Sequence, residues 1–241
     1  YALSFEMAKE IKTADTLVII APAEGYKNFV NTLDEKYKMS FSHILDAANF
    51  EGKAGTNLCS YVICKSFKRV SLLLLPKEID ARSMQELGAK ASNIISNRFE
   101  TCIIEAMGVK ECEFTNIFYG LTLRNYRFDK YFEAKKEGKG SKLKKAFIAF
   151  EGAELKAKLE EASEIAKHNM LTRDLVNSSP VDINPTTYSK IIDEAFEGLK
   201  VKVKVLDEDD LYKEKMTSLL AVGHGSVNRP KVVVMEYMGN H

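Results

Sequence analysis

The stretch TRDLVNSSPVDINPTTY, Thr172 to Tyr188, gathers an Arg–Asp pair, two serines and two prolines into one short segment. A nucleophilic serine needs a base within hydrogen-bond reach. The candidate nearest in sequence, His168, lies two or more helical turns before Ser178. Arg173 and Asp174 are adjacent, so on a helix they point about 100° apart and would pair with other elements rather than with each other. On turn chemistry alone the segment reads as a helix end followed by an Asx or Ser turn that links two domains.

Other candidates for chemistry read as structure in the same way. The GHGS segment, Gly223 to Ser226, lacks the Gly-Lys-Ser/Thr ending and following helix of a phosphate loop, and VNRPKVVV leads from it into a strand. It is expected to be a glycine turn between strands. His224 has no second His, Cys or carboxylate at metal-ligand spacing. The acids Glu208, Asp209 and Asp210 suit the first turn of a helix, where the dipole favours negative charge. EGKAG, Glu51 to Gly55, is a glycine-punctuated turn. Cys59, Cys64, Cys102 and Cys112 show neither C-x-x-C spacing nor the density of a disulfide scaffold, so free thiols in a reducing, cytoplasmic compartment are expected.

The elements that would position these residues alternate between strand-length apolar runs and stretches of helical period, the pattern of an α/β protein with a largely parallel sheet. TLVIIAP, SYVICKS, RVSLLLLPK, TCIIEAM and KAFIAFEG read as strands, with Ser66 to Lys68 as a hairpin turn between the second and third. GYKNFVNTLDEKY reads as a helix. So does Ser83 to Phe99, where Met84, Leu87, Ala91, Ile94 and Ile95 recur at three and four and Ser83 with Glu86 forms a capping box. A further helix covers Phe114 to Leu123.

Residues 153 to 176 carry no proline or glycine and are dense in strong helix formers. At ~1.5 Å per residue such a helix spans roughly 35 Å, enough to leave one domain and enter another. NSSP ends it near Asn177. Asn184-Pro185 opens a new helix with Thr186 or Thr187 as its cap. KVKVKVLD is a half-exposed strand with Val201, Val203 and Val205 on one face, a short helix covers Asp209 to Met216, and LLAVG and KVVVMEY read as buried strands.

Bulk properties set the limits. A hydrophobic fraction of 45% with 29% charge describes a chain that folds. The 35 basic and 34 acidic residues leave a net charge of +1, which offers no field for nucleic acid or an anionic membrane. The basic stretch Glu133 to Lys145 is a solvated loop on this reading. The longest apolar runs are too short to span a bilayer, no secretory signal is expected, and Tyr1 in place of Met suggests a start other than the native one.

Taken together and in order, several of these segments resemble the leucine aminopeptidase family, the cytosol metalloaminopeptidases. Arg173, Asp174, Leu175, Val176 and Asn177 match its Arg-Asp/Asn-Leu-Val-Asn segment, and Pro180 and Pro185 match the turn and helix start that follow. Leu220 to Gly223, Gly225, Ser226, Pro230, Glu236 and Tyr237 match a Leu-Leu-Ala-Val-Gly-x-Gly-Ser segment and a strand ending in Glu-Tyr. Upstream, Gly120, Leu123, Tyr126, Phe128, Asp129 and Tyr131 carry a pattern near the end of the family's first domain. Val181, Asn184 and Thr217 depart from the pattern where Asn, Thr and Gly are usual, so they bear on loop conformation.

The resemblance implies an α/β chain with a macro-domain-like amino-terminal domain over residues 1–152, a linking helix over 153–177 and the incomplete beginning of an α/β peptidase domain over 178–241. It implies two divalent metals, zinc or manganese, held by a lysine and several carboxylates, with a metal-bridging water attacking the peptide carbonyl and an arginine and a bicarbonate assisting proton transfer. Those residues lie in the family beyond the strand ending here at Glu236-Tyr237. No catalytic, cofactor-binding or metal-binding residue is therefore assigned in this chain, which is expected to be inactive alone. The family further implies a peptide substrate, a hexamer and a cytoplasmic location. Two alternatives are a non-catalytic assembly or binding subunit, and an ADP-ribose-type nucleotide-binding domain in residues 1 to about 150.

Overall fold

The computed structural model describes residues 3–8, 13–95, 99–131 and 143–239. The chain divides into two units, Tyr1–Thr172 and Arg173–His241. Most of the basic stretch expected as a loop, Glu133 to Lys142, lies outside the described residues, as do residues 96–98 of the expected helix end.

In the first unit the elements run β1 (Ser4–Met7), β2 (Thr16–Ala21), α1 (Tyr26–Tyr37), α2 (Phe41–Ala47), β3 (Asn57–Tyr61), β4 (Arg69–Leu74), α3 (Ala81–Ile95), β5 (Thr101–Ala106), α4 (Glu111–Arg124), β6 (Lys145–Ala149) and α5 (Leu155–Asn177). The strands form one sheet in the order β1-β6-β5-β2-β4-β3. Every neighbouring pair is parallel except β3 with β4. The fold class is thus α/β with a parallel-dominated sheet.

Alternation along the central strands builds two cores, one on each face. Val18, Ile20, Leu73 and Ile104 point into a core with Met84, Leu87, Phe114, Phe118, Leu155 and Leu159 of α3, α4 and α5. Leu17, Ile19, Leu72, Leu74 and Ile103 point into the other, with Val30, Leu33, Phe41 and Leu45 of α1 and α2. Apolar residues on both faces are what make these strands read as continuous hydrophobic runs.

Polar groups fix the register at the strand starts. The Asp15 carboxylate accepts hydrogen bonds at 2.9 Å from the backbone N–H groups of Glu100 and Thr101 and from the Thr101 hydroxyl, joining the entries of β2 and β5. One buried charge interrupts β5. Glu105, 4% exposed, accepts from Lys36 Nζ at 2.6 Å and from the Tyr37 hydroxyl at 2.5 Å, both on α1.

On the opposite face α3 and α4 cross at a backbone-to-backbone contact. A Cβ on Gly88 would run into the Ile117 carbonyl oxygen, and one on Gly120 into the Gln85 carbonyl oxygen. Each helix thus presents a glycine to the other's main chain.

Three expectations for this unit are corrected. The strand expected as SYVICKS is Asn57–Tyr61, and residues 62–68 form the connection. Cys64 Sγ packs at 3.2 Å from the Tyr37 carbonyl and takes the Ser66 N–H, which breaks strand alternation and lengthens the expected Ser66–Lys68 turn. Helix α3 starts at Ala81, not Ser83: Asp80 accepts from the Ser83 N–H at 2.7 Å while Ser83 Oγ accepts from the Asp80 N–H at 3.0 Å. Glu86, expected to complete a box with Ser83, pairs instead with Arg82.

The second unit begins within the last turns of α5 and continues through α6 (Pro185–Phe196), β7 (Val201–Leu206), α7 (Glu208–Lys213), α8 (Thr217–Gly223) and β8 (Val232–Tyr237). Strands β7 and β8 pair antiparallel, with Lys202 opposite Glu236. The core is small: Leu206, Leu211 and Leu220, with Val232 against them. Asn184 caps α6, its side chain accepting from Thr186 N and Thr187 N while Thr187 Oγ1 accepts from Asn184 N, so the expected Thr186 or Thr187 cap is corrected to Asn184. Helix α7 starts and stops earlier than expected because Asp207 caps it.

LLAVG is the larger correction: it is helix α8, not a strand. Lys215 at φ 57° reverses the chain after α7, and the Leu220 N–H then bonds the Met216 carbonyl at 3.1 Å, which turns the segment helical. Leu220 alone of its apolar run is buried, and Val222 is 90% exposed.

Two outcomes follow from the first unit. Gly88→Ala and Gly120→Ala are each expected to lower the urea midpoint by the equivalent of about 2–3 kcal/mol, since the added methyl meets main chain rather than a flexible side chain. The double variant should cost less than the sum, because the first substitution already separates the helices. The second outcome concerns Tyr37, whose hydroxyl is pushed far above the ordinary phenol range, first by burial and then by its bond to Glu105. The folded state keeps that proton while the unfolded chain releases it, so stability present below pH ~10 falls as pH rises further. Tyr37→Phe should cost about 1.5–3 kcal/mol at neutral pH, as loss of a hydrogen bond to a charged group does, and flatten the decline above pH ~10 in denaturation curves. The Cys102 thiol, also pushed up by burial, should leave a residual alkaline slope in that variant.

Candidate functional site

The segment from Thr172 to Tyr188 folds as a joint between helices. Ser178 Oγ donates to the Asp174 carbonyl at 2.7 Å, closing the end of α5. The N–H groups of Asp182 and Ile183 both return to the Ser179 carbonyl, at 3.0 and 2.9 Å. Asn184 then caps α6 and Pro185 fills its first turn, where a missing N–H costs nothing. His168 sits on α5 with Nδ1 2.8 Å from the Glu164 carbonyl oxygen, so that ring nitrogen is engaged on its own helix. Ser178 Oγ and His168 Nδ1 are thus each engaged with a main-chain carbonyl of α5.

The remaining candidates are placed just as plainly. His224 follows α8 and is exposed, and in the GHGS segment the Ser226 N–H returns to the Gly223 carbonyl at 3.0 Å. That turn joins a helix to a strand, since α8 precedes it. Gly223 is required by packing: a Cβ there would lie 2.9 Å from the Pro230 ring. Glu208, Asp209 and Asp210 occupy the first turn of α7, where Asp210 is held below the usual carboxylate range by Lys213 and by the Asp207 cap. The Glu51–Gly55 loop is pinned to the sheet by the Gly55 N–H on the Leu75 carbonyl and by Lys90 Nζ on the Gly55 carbonyl. Cys59, Cys64, Cys102 and Cys112 are free thiols. Among the described residues no group of three or more His, Cys, Asp or Glu side chains could hold a metal ion.

Two features were missed from sequence. Buried Glu105 takes hydrogen bonds from buried Tyr37 and from the partly exposed Lys36, and a lone acid inside the apolar run TCIIEA was the available signal, because a buried charge requires partners. The second unit also carries two neighbouring grooves. One of about 520 Å³ is lined by Ile183, Pro185, Tyr188, Ile192, Lys231 and Met235 among others. Another of about 600 Å³ is lined by Pro185, Leu219, Val222, Pro230 and Lys231 among others. No carboxylate, histidine or cysteine lines either groove, so they suit packing of apolar groups rather than acid–base or metal chemistry.

The residues that carry the resemblance occupy structural positions. Gly120 sits at the α3–α4 crossing, Leu175 to Asn177 end α5, Pro185 opens α6, Leu220 fills the small core and Gly223 admits Pro230.

Comparison with known proteins agrees with that pattern. Residues 170–241 match the model of the cytosol aminopeptidase family, catalytic domain. Over 232 residues, 93% of this chain and 46% of the relative, the chain is 28% identical to the probable cytosol aminopeptidase of Ehrlichia ruminantium (strain Welgevonden). The chain spans about half the length of the curated relatives it matches. Among solved structures it resembles a tomato leucine aminopeptidase mutant, at TM-score 0.77 and 17% identity over 100% of this chain and 52% of that one. It also resembles the bottromycin maturation enzyme BotP in complex with Mn, at TM-score 0.70 and 18% identity over 92% of this chain and 45% of that one. These structural likenesses are of fold. With the catalytic-domain match spanning residues 170–241, which include the whole of the second unit, and relatives aligning along nearly the whole chain, the chain belongs to the leucine aminopeptidase, or cytosol aminopeptidase, family.

Proposed function

We propose that this chain is a portion of a two-metal aminopeptidase that releases amino-terminal residues from peptides. The observation that carries the reading is the match of residues 170–241 to the family's catalytic domain, in a chain that spans about half of its relatives. Divalent metal, zinc or manganese, is part of the proposal, and the manganese complex of BotP supports it. The donor set present here does not fit a metal pair, since the described residues contain no cluster of three ligating side chains. We therefore place the metal ligands and catalytic groups outside this chain and derive no step through them.

The second unit supports the same reading. A two-stranded ribbon over three buried leucines is marginal by itself. Strand β8 exposes Val234, Met235 and Tyr237, and among the described residues it pairs only with β7. Strand β7 carries Lys202 and Lys204 between its valines, the charges that guard an edge, whereas β8 runs Val232 to Met235 without one. A sheet that continues beyond β8 would cover those residues, so the proposal assigns that cover to the remainder of the peptidase domain. Peptide as substrate and a cytoplasmic location are supported by the relatives' name, probable cytosol aminopeptidase, and a hexameric assembly is added to the proposal from the family resemblance alone. The net charge of +1 supports a role without nucleic acid or membrane binding. Among the described residues no helix is long and apolar enough to cross a membrane.

Two measurements test this. The purified 241-residue chain should show no hydrolysis of leucine anilide above background with added Mn²⁺ or Zn²⁺, while the longer protein containing it should turn over in a metal-dependent way. Turnover by the short chain would overturn the placement of the catalytic groups. Met235→Lys should reduce self-association and hydrophobic-dye binding of the 241-residue chain, yet destabilise the longer protein by about 2–3 kcal/mol, as burying an unpaired charge does. A neutral effect in the longer protein would mean that this face stays uncovered.

A further inference from the structure

We draw no further inference here: the strongest candidate, the pair of apolar grooves that α6, α8 and β8 line around Pro185 and Lys231 in the second unit, carries nothing because nothing in the structure shows what covers it.

Discussion

Burial of the parallel sheet on both faces is the constraint on which the first unit rests. A parallel strand has no short return, so each connection must cross a face, and the crossing helices then cover the apolar residues that face carries. Leu17 and Ile19 demand α1 and α2, and Val18 and Ile20 demand α3, α4 and α5, because neighbouring side chains point in opposite directions. Glu105, a charged departure from that apolar lining, sits on the α1 side and accepts hydrogen bonds from Lys36 and Tyr37 of that helix. Its partners do not make the pair a large source of stability, since desolvation offsets most of the attraction. They do fix where α1 lies along β5, because any slide would strand a buried carboxylate. The Gly88–Gly120 crossing plays the matching role on the other face, where main chain against main chain leaves no slack.

The second unit obeys a different balance. Leu206, Leu211 and Leu220 are its buried apolar residues, a small core for its length, while Val222, Val234 and Met235 are left outside. Local devices compensate in part: the reciprocal Asn184–Thr187 and Asp207–Asp210 caps each satisfy helix donors at both ends of a three-residue span. Caps hold helices in place but do not bury area. The second unit thus combines a well-capped backbone with an exposed apolar surface on β8.

The alternation of strand and helix, the two-sided burial of TLVIIA and TCIIEA, and the long helix ending near Asn177 were all legible, because period and composition there serve a single core. What failed were segments whose environment departs from the expected one. LLAVG carries a strand's composition, but a strand needs a neighbour to pair with, and after the reversal at Lys215 only local helical bonds are available. The β3 boundary moved because Cys64 is taken by the turn after α1, a contact distant in sequence. Capping misplaced its residues by a few positions at α3 and α6, since Ser, Thr, Asp and Asn compete for the same role and only geometry chooses between them.

The motif residues were legible as a family pattern rather than as chemistry, and the reason is physical. The motif residues in this chain do work that any active enzyme of this fold would need done: Gly120 closes a helix crossing, Pro185 and Asn184 start α6, and Gly223 lets Pro230 pass. Glycine and proline at such points are demanded by steric contact and backbone geometry, whatever chemistry happens elsewhere. A family signal built from them identifies the fold strongly and the reaction only through kinship. The chemistry must therefore be argued from side chains that can bind metal or move protons, and among the described residues no group of three or more His, Cys, Asp or Glu could hold a metal ion.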